Sequence, residues 1–254
     1  MKVGIALSGG GALGAAHIGA LKALDEAGIT PHHITGISAG AIVGALYCAG
    51  NKPDDILSFF EMDSLLELVS LDSVEGGLID TERFQKIIRE NSKSDDFSNL
   101  AIKLSIGVTN LNTGDFEIFE EGQLSQIAGA SSAVPLLMKP VKIGSHQYVD
   151  GGLINNLLVE PLKETCDFVI GINANPHEDI GEISGAKEVA KRCFEIIAGS
   201  SVKANSKECD FFLESKGTSK YALFDFKHSK EIFDVGYNEM KAELDSLKEK
   251  MEGK

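Results

Sequence analysis

The first fifty residues repeat one pattern of hydrophobic and polar positions. Residues 3–7 are apolar and end at a run of glycines, and apolar residues then recur at helical spacing until Gly28. Residues 34–37 form a second short apolar run, and residues 39–49 continue as a helix of small residues. The pattern therefore predicts a strand, a tight turn and a helix, twice in succession.

Strand and helix patterns continue to alternate along the rest of the chain. Apolar and polar residues alternate on both sides of Thr113 and Gly114, which predicts a hairpin and hence one antiparallel pair. We expect an α/β fold with a mostly parallel, mixed central sheet, in a single domain spanning residues 1–254. The other predicted strands and helices are strands at 147–149 and 168–172 and helices at 54–61, 81–90, 124–132, 186–205 and about 229–252.

One stretch, residues 62–78, follows neither period. It carries leucines and a valine among acidic residues and ends near two glycines. This composition fits a mobile cover over a site, and it fits a packed helix and turn equally well. If the chain acts on an acyl group, residues 62–78 and 135–138 are candidates for an acyl-chain groove.

Composition and charge exclude several classes of function. Of the 254 residues, 43% are hydrophobic, which is enough to bury a core, and 27 are glycines, which suit tight strand-to-helix turns. The net charge of −14 argues against nucleic acid and against steady adsorption to anionic lipid, because both require basic patches. No basic leader precedes the first strand and no run approaches the roughly 20 apolar residues of a membrane span, so we expect a cytoplasmic protein without a transmembrane segment.

Nothing in the sequence indicates a metal site. The four cysteines are widely spaced, without the paired spacing of zinc ligands, and the six histidines form no HExxH pattern. We therefore expect no metal and no cofactor.

A GxSxG sequence lies where the second strand gives way to a helix. Gly36 and Gly40 flank Ser38, and this strand-to-helix context is the one in which the motif forms a nucleophile elbow. Glycines on both sides avoid the clashes that a Cβ atom would make in such a strained turn. The alternative is that Ser38 merely caps the helix, since serine is a favoured N-cap residue.

The glycines that follow the first strand have two possible uses. The N–H groups of Gly9, Gly10 and Gly11 could stabilise an oxyanion at the edge of the sheet. The same loop, extended to Gly14, fits the GxGxxG dinucleotide fingerprint, but that fingerprint expects an acidic residue at the end of the second strand. Since Ser38 follows that strand instead, an oxyanion hole explains both turns at once.

A nucleophilic serine requires a base, and the strongest local signal for one is Asp150. It follows a strand and is followed by Gly151 and Gly152, a turn that lets a carboxylate approach another backbone closely, although an ordinary Asp-Gly turn has the same sequence. No histidine has a comparable signal. Structural roles suit the four histidines at positions 17, 32, 33 and 146, and the two late ones, at 177 and 228, lack local support.

Taken in order, these segments resemble the patatin-like phospholipases over most of the chain. The resemblance implies a three-layer α/β/α fold and a serine-aspartate dyad without histidine, with Ser38 as nucleophile, Asp150 as its partner and the glycine loop as oxyanion hole. It implies a lipid acyl hydrolase of the phospholipase A or lysophospholipase kind, with a lipid or other acyl ester as substrate and transient contact with a membrane surface. The motifs that carry it are Gly9–Gly14, His17–Gly19, Leu21–Leu24, Gly36–Gly40, Ala130–Pro135 and Asp150–Gly152.

Two positions depart from the family pattern. The family commonly has Arg or Lys where this chain has Leu13, and commonly has Pro after an Asn where this chain has Asn155 and Asn156. Losing the basic residue could weaken the orientation of the glycine loop. The alternative to an active hydrolase is therefore a catalytically weak member of the same fold that binds lipid or acts as a regulator.

Overall fold

A mixed β-sheet organises the molecule. The computed structural model describes residues 1–61, 81–176 and 181–254. In these residues eight strands form one sheet in the order β5-β6-β3-β2-β1-β7-β8, and β4 pairs with β3. The strands are β1 (Val3–Leu7), β2 (His33–Gly36), β3 (Lys103–Asn110), β4 (Phe116–Phe119), β5 (Val141–Ile143), β6 (His146–Asp150), β7 (Phe168–Asn173) and β8 (Phe211–Glu214).

The middle of the sheet is parallel and one side is antiparallel. Strand β1 pairs in parallel with both β2 and β7, which fits the uninterrupted burial of Val3–Leu7 and the apolar runs that parallel strands require. The pairs β2-β3 and β7-β8 are also parallel, whereas β3-β4, β3-β6 and β5-β6 are antiparallel. The predicted α/β class, the mixed sheet and the hairpin are confirmed.

Helices cover both faces of the sheet. Side chains alternate along β1, so Ile5 and Leu7 enter the larger hydrophobic core while Ala6 enters a second, smaller one. The larger core contains residues of α1, α2 and α8, and the smaller contains Leu162 of α6 and Val202 of α7. The helices are α1 (Ala15–Glu26), α2 (Ala39–Cys48), α3 (Pro53–Phe60), α4 (Glu82–Asn91), α5 (Leu124–Ser131), α6 (Glu160–Thr165), α7 (Ala186–Asn205) and α8 (Ser229–Glu252).

The strand register brings the candidate site together. Leu7 pairs with Gly36, so the turns that follow β1 and β2 leave the sheet side by side. Val108 of β3 pairs with Asp150 at the end of β6. Loops at the carboxyl ends of parallel strands form the usual ligand-binding edge of an α/β sheet, and the glycine loop, the serine turn and the aspartate turn all meet there.

Three elements were not predicted from the sequence: strands β5 and β8 and the short helix α6. The stretch at 62–78, for which a cover was considered, lies outside the described residues. No helix within the described ranges has both the length and the apolar character that a bilayer span requires.

Candidate active site

Ser38 occupies a strained turn between β2 and α2. Its φ of 53° and ψ of −121° lie outside the conformations that a non-glycine residue normally adopts, and its side chain makes no capping hydrogen bond to α2. A Cβ built on Gly40 would lie 2.4 Å from the carbonyl oxygen of Leu7, and one on Gly36 would lie 2.5 Å from the carbonyl oxygen of Gly40. The turn therefore requires both glycines, and the interpretation of Ser38 as a helix cap is wrong.

Two serines at the end of α5 hold the backbone of this turn. The Ser131 hydroxyl accepts a hydrogen bond from the N–H of Ser38 at 2.9 Å and donates one to the carbonyl oxygen of Gly107 at 2.7 Å. The Ser132 hydroxyl donates to the carbonyl oxygen of Ser38 at 3.2 Å. Both serines lie in Ala130–Pro135, which the sequence analysis used only for the family resemblance. Two adjacent hydroxyl residues at the end of an apolar helix were the sequence signal that could have pointed to them.

Asp150 lies beside Ser38 and is buried, with 2% of its surface exposed. Its Oδ1 accepts the N–H of Gly152 at 2.8 Å, and the Ser38 hydroxyl is near enough to the carboxylate to lower its pKa. Burial raises the pKa of Asp150 to about 6, against the lowering effect of the hydrogen bonds from Ser38 and Gly152. A Cβ on Gly151 would lie 2.4 Å from the carbonyl oxygen of Gly107, so the turn packs tightly against β3.

The three glycines of the loop after β1 line one cavity together with Ser38 and Asp150, but they differ in their hydrogen bonds. Gly9 donates its N–H to Asn156 Oδ1 at 3.0 Å. Within the described parts of the chain, the N–H groups of Gly10 and Gly11 have no protein acceptor. Gly11, with a φ of 55°, is the first residue of a short 3-10 helix. The N–H of a first helical residue has no acceptor within its own helix.

The position of Leu13 explains why an apolar residue is accepted there. Leu13 is 3% exposed and belongs to the larger hydrophobic core.

Asn156 is the functional candidate that the sequence analysis missed, because it was noted only as a departure from the family pattern. Its Oδ1 accepts the N–H of Gly9 in the glycine loop, and its own N–H donates to the hydroxyl of Ser201 of α7 at 2.9 Å. Asn156 thus ties the glycine loop to the segment after Asp150 and to α7.

The histidines make hydrogen bonds elsewhere. The buried His17 ring has Nε2 2.8 Å from the carbonyl oxygen of Ser8, and burial lowers its pKa to about 4. His33 lies between Thr165 and Ser105, and burial also lowers its pKa to about 4. No histidine in the described ranges lines the cavity around Ser38, and position 177 lies outside those ranges. Those ranges also contain no cluster of three or more His, Cys, Asp or Glu that could hold a metal.

The cavity around the serine is small and roofed. Its volume is about 30 Å³, and it is lined by Ser38, Asp150, Asn156 and the three glycines of the loop. Phe194, Glu195 and Ala198 of α7 close it from one side, and Leu223 and Phe224 close it from another. A serine hydroxyl, a carboxylate with a raised pKa and two backbone donors thus surround a space in which acyl transfer to serine is chemically feasible.

Comparisons with known proteins place this arrangement in a family. The family model described as patatin-like phospholipase matches residues 5–163, which include Ser38, Asp150, Asn156 and the three glycines of the loop. An uncharacterized NTE family protein of Mycobacterium bovis is 29% identical over 181 residues, which are 70% of this chain and 50% of that protein. The neuropathy target esterase sws of Drosophila melanogaster is 29% identical over 188 residues, which are 70% of this chain and 13% of that protein.

Solved structures show the same fold at low sequence identity. VipD from Legionella pneumophila superposes with a TM-score of 0.56 at 17% identity, over 96% of this chain and 67% of that one. The type III effector protein ExoU of Pseudomonas aeruginosa superposes with a TM-score of 0.50 at 13% identity, over 96% of this chain and 53% of that one. The chain spans half the length or less of the curated relatives described above. With its family model matching well over half of its length, the chain belongs to the patatin-like phospholipase family.

Proposed function

We propose that this protein is a serine acyl-ester hydrolase that acts on lipid esters through a Ser38-Asp150 dyad. The observation that carries the proposal is the strained Ser38 beside the buried carboxylate of Asp150, in a cavity that Gly10 and Gly11 also line. Membership of the patatin-like phospholipase family supports the lipid class of substrate.

The electrostatics of Asp150 suit a general base. A carboxylate with a pKa of about 6 is ionised at pH 7 and is more basic than an exposed aspartate. Proton transfer is most efficient when the pKa of the base lies near the working pH. Burial therefore prepares Asp150 to take a proton from Ser38 without help from a histidine.

The reaction proceeds in two halves. Ser38 Oγ attacks the ester carbonyl while its proton passes to Asp150, and the oxygen of the tetrahedral intermediate accepts hydrogen bonds from the N–H groups of Gly10 and Gly11. The intermediate collapses to an acyl-serine, and the departing alkoxide takes the proton from Asp150. A water then gives a proton to Asp150 and attacks the acyl-serine. As the second tetrahedral intermediate collapses, that proton passes from Asp150 to Ser38 Oγ, which releases the acid and restores both residues. Gly9 acts indirectly, because its N–H already holds Asn156.

Substrate entry requires the cavity to open. A volume of about 30 Å³ accommodates about one water molecule, far less than an ester group with its chains. The roof consists of side chains of α7 and of the segment around Leu223, so a shift of either would admit a substrate. Transient contact with a lipid surface is the event that we propose for this opening.

The direct test combines ester turnover with covalent labelling. We expect the protein to release p-nitrophenol from short and medium acyl esters and to be labelled by a fluorophosphonate. Ser38→Ala should abolish both, and Asp150→Asn should reduce turnover by at least about 10³-fold, because removal of the base leaves only oxyanion stabilisation and binding. Ser58→Ala, which changes an exposed serine on α3, is the matched control and should leave both unchanged.

The opposite outcome would favour the other candidate. If the folded protein neither turns over esters nor reacts with the fluorophosphonate, the dyad is not functional. The protein would then be a lipid-binding or regulatory member of its family, and fatty acids or lysophospholipids should raise its melting temperature without being consumed.

A further inference from the structure

A second cavity lies next to the one that contains Ser38. Its volume is about 220 Å³, and nearly all its lining is apolar. Val134, Phe194, Glu195 and Leu223 line both cavities, so the two cavities adjoin along three apolar side chains and one carboxylate. On the far side it is lined by Leu136, Leu137 and Leu153.

Helix α7 forms the roof of this second cavity with one face. Ala190, Cys193, Phe194 and Ile197 all line it, and their spacing of three and four residues places them on one side of the helix. The cavity reaches the surface at its edge, where Cys193 is exposed and Leu136 is 63% exposed. An apolar space thus runs from the surface of the molecule to the wall of the serine cavity.

We propose that this cavity binds one unbranched alkyl chain of the substrate, the acyl chain that Ser38 receives; this inference rests on the proposed function. An apolar cavity of about 150 Å³ stays dry and binds benzene, so about 220 Å³ suits a chain on the order of eight carbons. Among the described residues that line it, Glu195 is the charged one, and its carboxylate lies 3.2 Å from Arg192 Nη1. The assigned substrate class is therefore an ester of a medium-length, single fatty acid.

Chain-length dependence is the primary test. With p-nitrophenyl esters the leaving group stays constant while the acyl chain grows, so any change reports on the acyl site. Each methylene up to about eight carbons should raise kcat/KM by up to about four-fold, the value for full burial of one methylene. Beyond that length kcat/KM should stop rising, because the cavity is full.

A substitution that fills the cavity separates this site from the chemistry. Ala190→Phe should lower kcat/KM for the octanoate ester at least about ten-fold and leave the acetate ester unchanged. Val189→Phe is the matched control: it introduces the same side chain one residue earlier on α7, at a position that is 47% exposed and does not line the cavity. It should change neither ester.

Cys193 allows the same test without a large substitution. Burial raises the pKa of the Cys209 thiol to about 12 and also raises those of Cys48 and Cys166, so these three thiols react slowly at neutral pH. Hexyl methanethiosulfonate should therefore modify Cys193 first, forming a hexyl disulfide and releasing methanesulfinate. Octanoate turnover should fall and acetate turnover should persist, dithiothreitol should restore the former, and Cys193→Ser should be insensitive.

Two outcomes would overturn the assignment and are distinct from failure of the proposed function. Equal turnover of acetate and octanoate, or equal loss of both in Ala190→Phe and in the hexyl-modified protein, would show that the cavity holds no acyl chain. Absence of any Ser38-dependent turnover, acetate included, would instead refute the hydrolase itself.

Discussion

Asp150 should destabilise the folded protein at neutral pH, and replacing it with asparagine should stabilise the fold while removing activity. Burial raises its pKa from the ordinary 3.8 to about 6, which corresponds to about 3 kcal/mol of unfolding free energy. Asn keeps an oxygen that can accept the N–H of Gly152 and has nearly the same shape. We therefore expect Asp150→Asn to gain about 3 kcal/mol of stability at pH 8.

The pH dependence identifies the cause. Because the pKa is higher in the folded than in the unfolded chain, the folded state binds more protons between pH 3.8 and about 6. The contribution of Asp150 to stability is therefore complete below the unfolded pKa and is lost as the pH rises through the folded pKa. The advantage of Asp150→Asn should be small near pH 4, grow up to about pH 6, and stay constant above pH 7.

Urea unfolding of the unmodified protein and of Asp150→Asn from pH 4 to pH 8 measures this difference in unfolding free energy. The comparison uses conditions in which both proteins show the same dependence of unfolding free energy on urea concentration. A matched control is Asp96→Asn, because hydrogen bonds from Ser98 hold the pKa of that exposed carboxyl below its usual range. Its replacement should lower stability at neutral pH, the opposite sign. An advantage of Asp150→Asn that does not change with pH, or a loss of stability at pH 8, would refute the reasoning.

Three further predictions follow from other contacts. Below about pH 6, kcat/KM should fall about ten-fold per pH unit as Asp150 becomes protonated, and a rate that stays flat down to pH 4.5 would contradict its role as base. Ser131→Ala should lower the unfolding free energy by about 1–3 kcal/mol, because it leaves the N–H of Ser38 and the carbonyl of Gly107 without their hydrogen bonds. It should also lower kcat more than it raises KM, and thermal unfolding and ester kinetics measure the two effects. Gly40→Ala should destabilise the fold by at least about 1–3 kcal/mol, because the new Cβ meets backbone carbonyls that cannot rotate away. A Tm within about 1–2 °C of that of the unmodified protein, the size of effect that surface substitutions produce, would refute the close packing.

Several parts of the site could be read from local sequence because a short segment determines them. The elbow at Ser38 depends on glycines two residues to either side, since only residues without a Cβ tolerate the carbonyl oxygens that lie 2.4–2.5 Å away. The apolar runs of β1 and β7 indicated central strands because both faces of such strands are buried. The sequence could not show the hold that Asn156 has on Gly9, because the two residues are 147 positions apart.

The sequence by itself determined most of the succession of strands and helices and the class of fold, and it indicated Ser38 and Asp150 as the candidate nucleophile and partner, because burial periodicity and turn chemistry act over a few residues. Only the tertiary structure decided that Asp150 is buried against Ser38 with a pKa of about 6, that Gly9 is occupied by Asn156 while Gly10 and Gly11 remain available, and that α7 roofs both cavities. Desolvation, hydrogen-bond partners and cavity shape depend on segments that are distant along the chain and meet only when the sheet assembles.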